Sequence, residues 1–405
     1  MHPKTTLKSL LAAGVAVTAL AAPLAAQAEV KIGFLGGFTG PIESLTPPIF
    51  AAAELAVKHV NEQGGILASE QLTMPSGDST CADATAAANA ADRLVNSENV
   101  TAAVGPLCSG AFISAANNAA IPGGMVLVSP SATAPTISEI EDNDLLYRTT
   151  PSDAYQGEVM ARLIQGKGID TVAVTYVNND YGKGLADAFA TAFEGLGGTV
   201  TANEAHEDGK ADYRAEIGSL ASSGAEWLGV MGYADGSGQT VVRQAIEGGD
   251  FLDFFGGDGM ISQTFVDGVG ADNLSSFIGT RTGTPDVPGA AVYAGLAEAE
   301  GLDPNATFAS QAYDAAFLLA LAIQKNGSAD REGLAAALRD VASAPGEVIL
   351  PGEWEKAVKL ISEGADINYE GASGAHEFDA AGDVPGVIVE MKVEGGAFVD
   401  AGVAE

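Results

Sequence analysis

From residue 30 onward, short apolar runs alternate with longer stretches in which apolar residues recur every three to four positions, and this alternation constrains the fold more than any other property of the chain. Residues 30–35 read as a strand, followed by a turn-rich Gly-Gly-Phe-Thr-Gly-Pro at 36–41. Over 49–61, Phe50, Ala53, Val57 and Val60 fall at helical spacing, and Gly64-Gly65 ends the run. The series continues with helix 82–95, strand 101–104, helix 111–120 and strand 125–128. After Arg-Thr-Thr-Pro at 148–151 a second series predicts helix 155–167, strand 171–176, helices 181–196 and 213–222, strand 227–231, helix 238–247 and a short strand at Phe254-Phe255. Strands alternating with helices of this length predict an α/β chain with parallel sheets covered on both faces.

Ligands in such sheets bind beyond the carboxyl ends of the strands. Here those ends are the segments 38–41, 105–109, 129–133, 178–181, 232–235 and 256–259, which together form the candidate site. No repeat of solenoid period and no low-complexity linker interrupts the series.

The first 28 residues read as an export signal, with Lys4 and Lys8 ahead of an apolar stretch at 10–22 and Ala26-Gln27-Ala28 as a small-x-small cleavage site. That stretch is shorter than the roughly 20 residues a spanning helix requires, so cleavage before Glu29 and a freely diffusing periplasmic protein are expected. Residues 29–405 exceed what one hydrophobic core usually organises, which predicts two domains. A hydrophobic content of 47% excludes a disordered chain, and a net charge of -34 disfavours nucleic acid or an anionic membrane surface as partner. The charge speaks to solubility and says little about a local site. Cys81 and Cys108 are the two cysteines, and an exported chain with an even count is expected to pair them.

Signals for enzyme or metal chemistry are weak. His2, His59, His206 and His376 are scattered, with neither an HExxH nor a Cys/His cluster, so no metal or cofactor is expected. There is no GxSxG elbow and no phosphate-cradling GxxxxGK[ST], and the glycines of 33–40 do not fit GxGxxG. A non-enzymatic protein is expected.

Seven segments, in order and spacing, are similar to one family: Gly40-Pro41; Val-Asn-Glu-Gln-Gly-Gly-Ile at 60–66; Gly-Pro-Leu-Cys-Ser at 105–109; Ser-Pro-Ser-Ala-Thr-Ala-Pro at 129–135; Tyr147-Arg148-Thr149; Asp-Tyr-Gly-Lys-Gly at 180–184; and Phe-Asp-Ala-Ala-Gly-Asp at 378–383. Through them the chain resembles the periplasmic branched-chain amino-acid binding proteins of ABC transporters, over nearly its whole length after the signal. The resemblance implies a type I periplasmic-binding fold: two Rossmann-like lobes joined by a three-strand hinge. Its crossovers fall near Pro151, Thr282 and Pro385, giving lobe 1 as 29–150 plus 283–385 and lobe 2 as 151–282 plus 386–405. Residues 345–375, with Trp354, Ile361 and Tyr369, read as a surface elaboration of lobe 1.

The resemblance also implies roles. Ser109, with Ser131, Ala132 and Thr133, would hold a ligand carboxylate, and Asp258 stands where the family usually has a glutamate pairing with the ligand ammonium. Tyr181 and Tyr233 would line the cleft from lobe 2. Leu107 belongs to the same set, and Leu45 falls where the family tends to place an aromatic wall, so the ligand's side chain need not be leucine-like. Cys81 and Cys108 match a bridged pair. Taken alone, Ser109 and Thr133 are ordinary cap or turn residues and Asp258 an ordinary turn aspartate. The implied partners are a small amino-acid-like ligand and an inner-membrane ABC permease, with the chain a monomer. Open alternatives are the same cleft tuned to an aromatic or short-chain carboxylate or amide, and a ligand sensor feeding a membrane receptor.

Overall fold

The computed structural model describes residue 2, residues 29–67 and residues 69–404. The export segment read from the sequence lies, apart from His2, outside those residues.

The alternation in sequence becomes two parallel-rich sheets. In the first, β1 (Glu29–Gly36) is followed by α1 (Thr46–Glu62), β2 (Gln71–Thr73), β3 (Ser76–Asp78), α2 (Ala84–Asp92), β4 (Ala102–Val104), α3 (Ser109–Ala115), β5 (Val126–Ser129) and β6 (Leu146–Arg148). Parallel pairing orders them β2-β1-β4-β5-β6, with β3 also on β1. Parallel neighbours need crossovers, which the helices supply. Asp83 starts α2 by accepting from the amides of Thr85 and Ala86. Both α2 and α3 run on into a wider π turn, at Arg93–Ser97 and Ala116–Ala120, so each predicted helix is an α-helix finished by a looser turn.

The second series builds α4 (Asp153–Gly166), β7 (Thr171–Val177), α5 (Asp180–Gly195), β8 (Thr199–His206), α6 (Arg214–Ala221), β9 (Trp227–Met231), α7 (Ser237–Gly248), β10 (Asp253–Gly256), α8 (Gln263–Val269) and β11 (Ile278–Thr282). The chain then returns to the first lobe with α9 (Pro288–Ala299), α10 (Ala309–Asn326), α11 (Leu334–Ala342), β12 (Glu347–Ile349), α12 (Trp354–Ser362), β13 (Ile367–Gly371) and β14 (Gly374–Ala375). It ends in the second sheet with β15 (Ile388–Glu394) and β16 (Ala397–Val403). That sheet is ordered β16-β15-β11-β10-β9-β7-β8, and β15 and β16 are antiparallel. The chain therefore passes between the sheets between Arg148 and Asp153, between Thr282 and Pro288, and between Ala375 and Ile388.

Two findings differ from the reading of the sequence. Thr199–His206 is an edge strand where the sequence reads as a connection; its side chains are mostly exposed or half-exposed, so it lacks the apolar run that marks a strand. Residues 345–375 are no surface elaboration. Their three-stranded sheet and α12 bring Trp354 and Tyr369 to full burial against Phe317 of α10, with ring centroids 6.0 and 5.2 Å away. Trp354 Nε1 donates to the Gly65 carbonyl at 3.0 Å, and Tyr369 donates to Asp314 Oδ1 at 2.6 Å. Ile361 is half-buried beside them.

The largest core gathers around α10, buried from Ala309 to Ile323, with α1 beside it; a second core fills the lobe of β9, α7 and α8. Cys81 and Cys108 are bridged, with Cα atoms 5.4 Å apart. The bridge joins the loop after β3 to the start of α3.

Candidate functional site

The loops following β1, β4, β5, β7, β9 and β10 converge between the two sheets, as carboxyl-end loops of parallel strands must. They meet around a narrow, partly open cavity between the lobes. The β4 loop reaches it through a backbone only glycine permits: Gly105 has φ +88°, and a Cβ there would strike the Leu35 carbonyl.

One wall is apolar. Leu45 and Leu107, named from sequence, meet Ile42, Ile49 and Phe308 there. Phe308 precedes α10 with φ +64°, an uncommon conformation for a bulky side chain, and comes from a part of the chain far from the six strand-end loops. No periodicity announces it.

A second wall carries hydroxyls. Ser109 is buried, and its Oγ accepts from the amides of Thr133 (3.2 Å) and Ala134 (3.1 Å), leaving its own hydrogen to donate. Ser131 also lines the cavity and donates to the Leu107 carbonyl at 2.8 Å. Ala132 and Thr133 are fully buried behind that wall; the Ala132 amide is held by Ser129 Oγ at 2.9 Å, and the Thr133 hydroxyl has no hydrogen-bond partner.

The opposite end is acidic. Asp258, on a short 3₁₀ turn (Asp258–Met260), is buried, and its Oδ1 accepts from Gln156 Nε2 at 3.1 Å and from the Tyr181 hydroxyl at 3.2 Å. Tyr181 accepts in turn from the Gly259 amide at 3.1 Å, and its ring stacks on Tyr233 at 5.1 Å. Both tyrosines line the cavity.

Asp153 and Gln156, at the start of α4, escaped the sequence reading. Asp153 is fully buried with neither carboxylate oxygen hydrogen-bonded, and Gln156 Oε1 is equally unpartnered. Burial, and next the charge of Asp258, push the Asp153 carboxyl well above the usual carboxylate range; the Arg148 charge offsets this in part. Burial likewise raises Asp258, to about 6, against the bonds from Gln156 and Tyr181. The only sequence signal for Asp153 was its place just beyond the first crossover.

Two desolvated carboxylates with unused lone pairs favour a cation bearing several N–H donors. The hydroxyl wall suits an acceptor and the third wall an aliphatic group. No lysine or arginine lines the cavity, and among the described residues no His/Cys/Asp/Glu cluster could hold a metal.

A family model described as periplasmic binding protein matches residues 29–356. The chain belongs to the periplasmic binding protein family. Relatives of this binding protein include a Leu/Ile/Val-binding protein, BraC3, of Rhizobium johnstonii, 33% identical over 84% of this chain and 91% of that one. Another is the chemotactic signal transduction system substrate-binding protein BasB of Halobacterium salinarum, 29% identical over 91% of this chain and 88% of its own. Among solved structures, the leucine binding protein LivK of Thermotoga maritima superposes with a TM-score of 0.78 at 25% identity, over 93% of this chain and 99% of that one. A solute binding protein of R. palustris in complex with benzoate reaches 0.74 at 17% identity, over 93% and 96%, a likeness of fold alone. The α/β two-sheet architecture of this binding protein is thus that of type I periplasmic binding proteins.

Proposed function

We propose that this binding protein captures a small α-amino acid with an aliphatic side chain between its lobes and delivers it, closed, to an ABC permease in the inner membrane. The observation that carries the reading is the cavity's three-way division: Asp258, with Asp153 buried near it behind the lining, for an ammonium, the Ser109 hydroxyl beside Ser131 for a carboxylate, and Ile42, Leu45, Ile49, Leu107 and Phe308 for an apolar side chain. The Leu/Ile/Val-binding names of its relatives support the same ligand class. In this reading lobe 1 is 29–150 plus 283–385 and lobe 2 is 151–282 plus 386–405, closure is a hinge motion at the three crossovers, and the protein acts as an exported monomer without cofactor or catalytic step. No helix among the described residues is long and apolar enough to cross a membrane.

Calorimetry and thermal shift on protein starting at Glu29, against alanine, valine, leucine, isoleucine, threonine and benzoate, test this. Heat and a raised melting temperature with at least one aliphatic amino acid are expected; silence from all of them sinks the reading. A sensory role is the second reading, favoured by the chemotactic relative. Loss of uptake on deleting the gene supports transport, whereas loss of taxis with uptake intact supports sensing.

A further inference from the structure

Ser44 lies in the loop between β1 and α1, between the cavity-lining residues Ile42 and Leu45, and its bonds run across to the other lobe. Its amide donates to Asp235 Oδ2 at 2.7 Å. Its hydroxyl meets Ser262 Oγ at 2.9 Å and Thr264 Oγ1 at 3.2 Å. Ser262 and Thr264 are themselves 2.7 Å apart, and the Thr264 hydroxyl donates to Asp235 Oδ1 at 2.6 Å. The three hydroxyls therefore form a closed cluster anchored on a carboxylate, an arrangement in which hydrogen bonds strengthen one another. Beside it, Gly236 packs against Pro41 so closely that a Cβ would come within 3.0 Å of the Pro41 ring.

We propose that Asp235, Ser262 and Thr264 form a clasp on Ser44 that sets ligand affinity from outside the cavity. None of the bonds needs a ligand, and the three made by Ser44 need the lobes together. Asp235 stands two residues after the lining residue Tyr233, and Ser262 and Thr264 begin α8 just beyond Asp258 and Gly259. The Ile42–Leu45 segment belongs to neither a strand nor a helix, so its position over the cavity depends on what grips it. The clasp thus does two things: it fixes the apolar wall, and it adds free energy to the closed form, which raises the fraction of molecules competent to bind. Asp235, Ser262 and Thr264 are positioning residues, acting on the ligand through Ser44 and Leu45. The affinity part rests on the amino-acid reading above; the closure part does not.

The test compares wild type with Asp235→Ala and Thr264→Val by two measurements: calorimetric affinity for leucine and isoleucine, and small-angle scattering without ligand. Expected are affinities weakened about tenfold with the preference between the two ligands unchanged, and a larger radius of gyration in the ligand-free variants than in ligand-free wild type. Wild-type affinity, or an unchanged radius, in both variants overturns the proposal. If wild type binds no amino acid, the ligand reading has failed and the scattering comparison alone decides the clasp. Should Asp235→Ala not fold, Thr264→Val, which removes one exposed hydroxyl and keeps the shape, carries both measurements.

Discussion

A buried carboxyl such as Asp258, proposed to pair with a ligand ammonium, weighs against the stability of the fold. In the ligand-free protein burial pushes its carboxyl from the ordinary 3.8 up to about 6, so the folded chain holds a proton that the unfolded chain releases. That contribution to stability is complete below the unfolded value and is lost as pH rises through about 6, leaving a buried charge on Asp258 at neutral pH. Asp258→Asn is therefore expected to raise the ligand-free melting temperature at pH 7.5 by ~1–3 °C while weakening amino-acid affinity ~100-fold, because a desolvated ammonium loses its counter-charge. Calorimetry and thermal melts on the same sample check both signs. For wild type the affinity should decline as pH falls below about 6, where Asp258 protonates, and a pH series of titrations reads this directly. Asp258 was legible only through the family resemblance, whereas Asp153 was not legible at all, since a single aspartate after a proline looks like any helix start.

At the level of elements, two pieces that sequence periodicity missed or misplaced carry measurable stability. The sheet of β12, β13 and β14 with α12 locks onto α10 through Trp354, which is fully buried and bonded to the Gly65 carbonyl. Trp354→Ala is expected to cost about 3–5 kcal/mol in urea unfolding, where a surface elaboration would cost little. Edge strand β8 ends at His206, buried between Thr175 Oγ1 (2.7 Å) and Ser237 Oγ (2.9 Å). Burial lowers this imidazole from 6.5 to about 4, against the raising influence of Asp208, Glu216 and Glu207. A depressed histidine means the unfolded chain takes the proton first, so its contribution is present above pH 6.5 and fades as pH falls towards 4. Thermal melts should show stability declining over that window, and His206→Gln should flatten the decline. Histidine and apolar side chains gave no hint of this pairing, because β8 exposes most of its length and reveals its register only against β7.

For the whole molecule, the Cys81–Cys108 bridge closes a loop across 27 residues of sequence separation beside the hydroxyl wall. Chain-entropy arguments give such a loop about 3.5 kcal/mol. The Cys81→Ser, Cys108→Ser double variant is expected to lose that amount in urea unfolding yet remain folded at 25 °C, since the two cysteines are a small part of the large cores that hold the lobes; circular dichroism checks the second point. The alternation of apolar periods by itself determined the α/β class, the parallel sheets and the strand ends from which most of the cavity is made, because strand and helix repeats are local properties of the chain. The ordered motifs from Gly40-Pro41 to the Phe-Asp-Ala-Ala-Gly-Asp of 378–383 added the family, and with it Ser109, Tyr181, Tyr233 and Asp258. Only the tertiary structure decided that Asp153 faces Asp258, that Phe308 closes the apolar wall, and that Ser44 is gripped by Asp235 from 191 residues away. Each of these joins residues far apart in sequence, and the grip on Ser44 depends besides on how the two lobes come to rest against one another, relations that no local pattern of residues encodes.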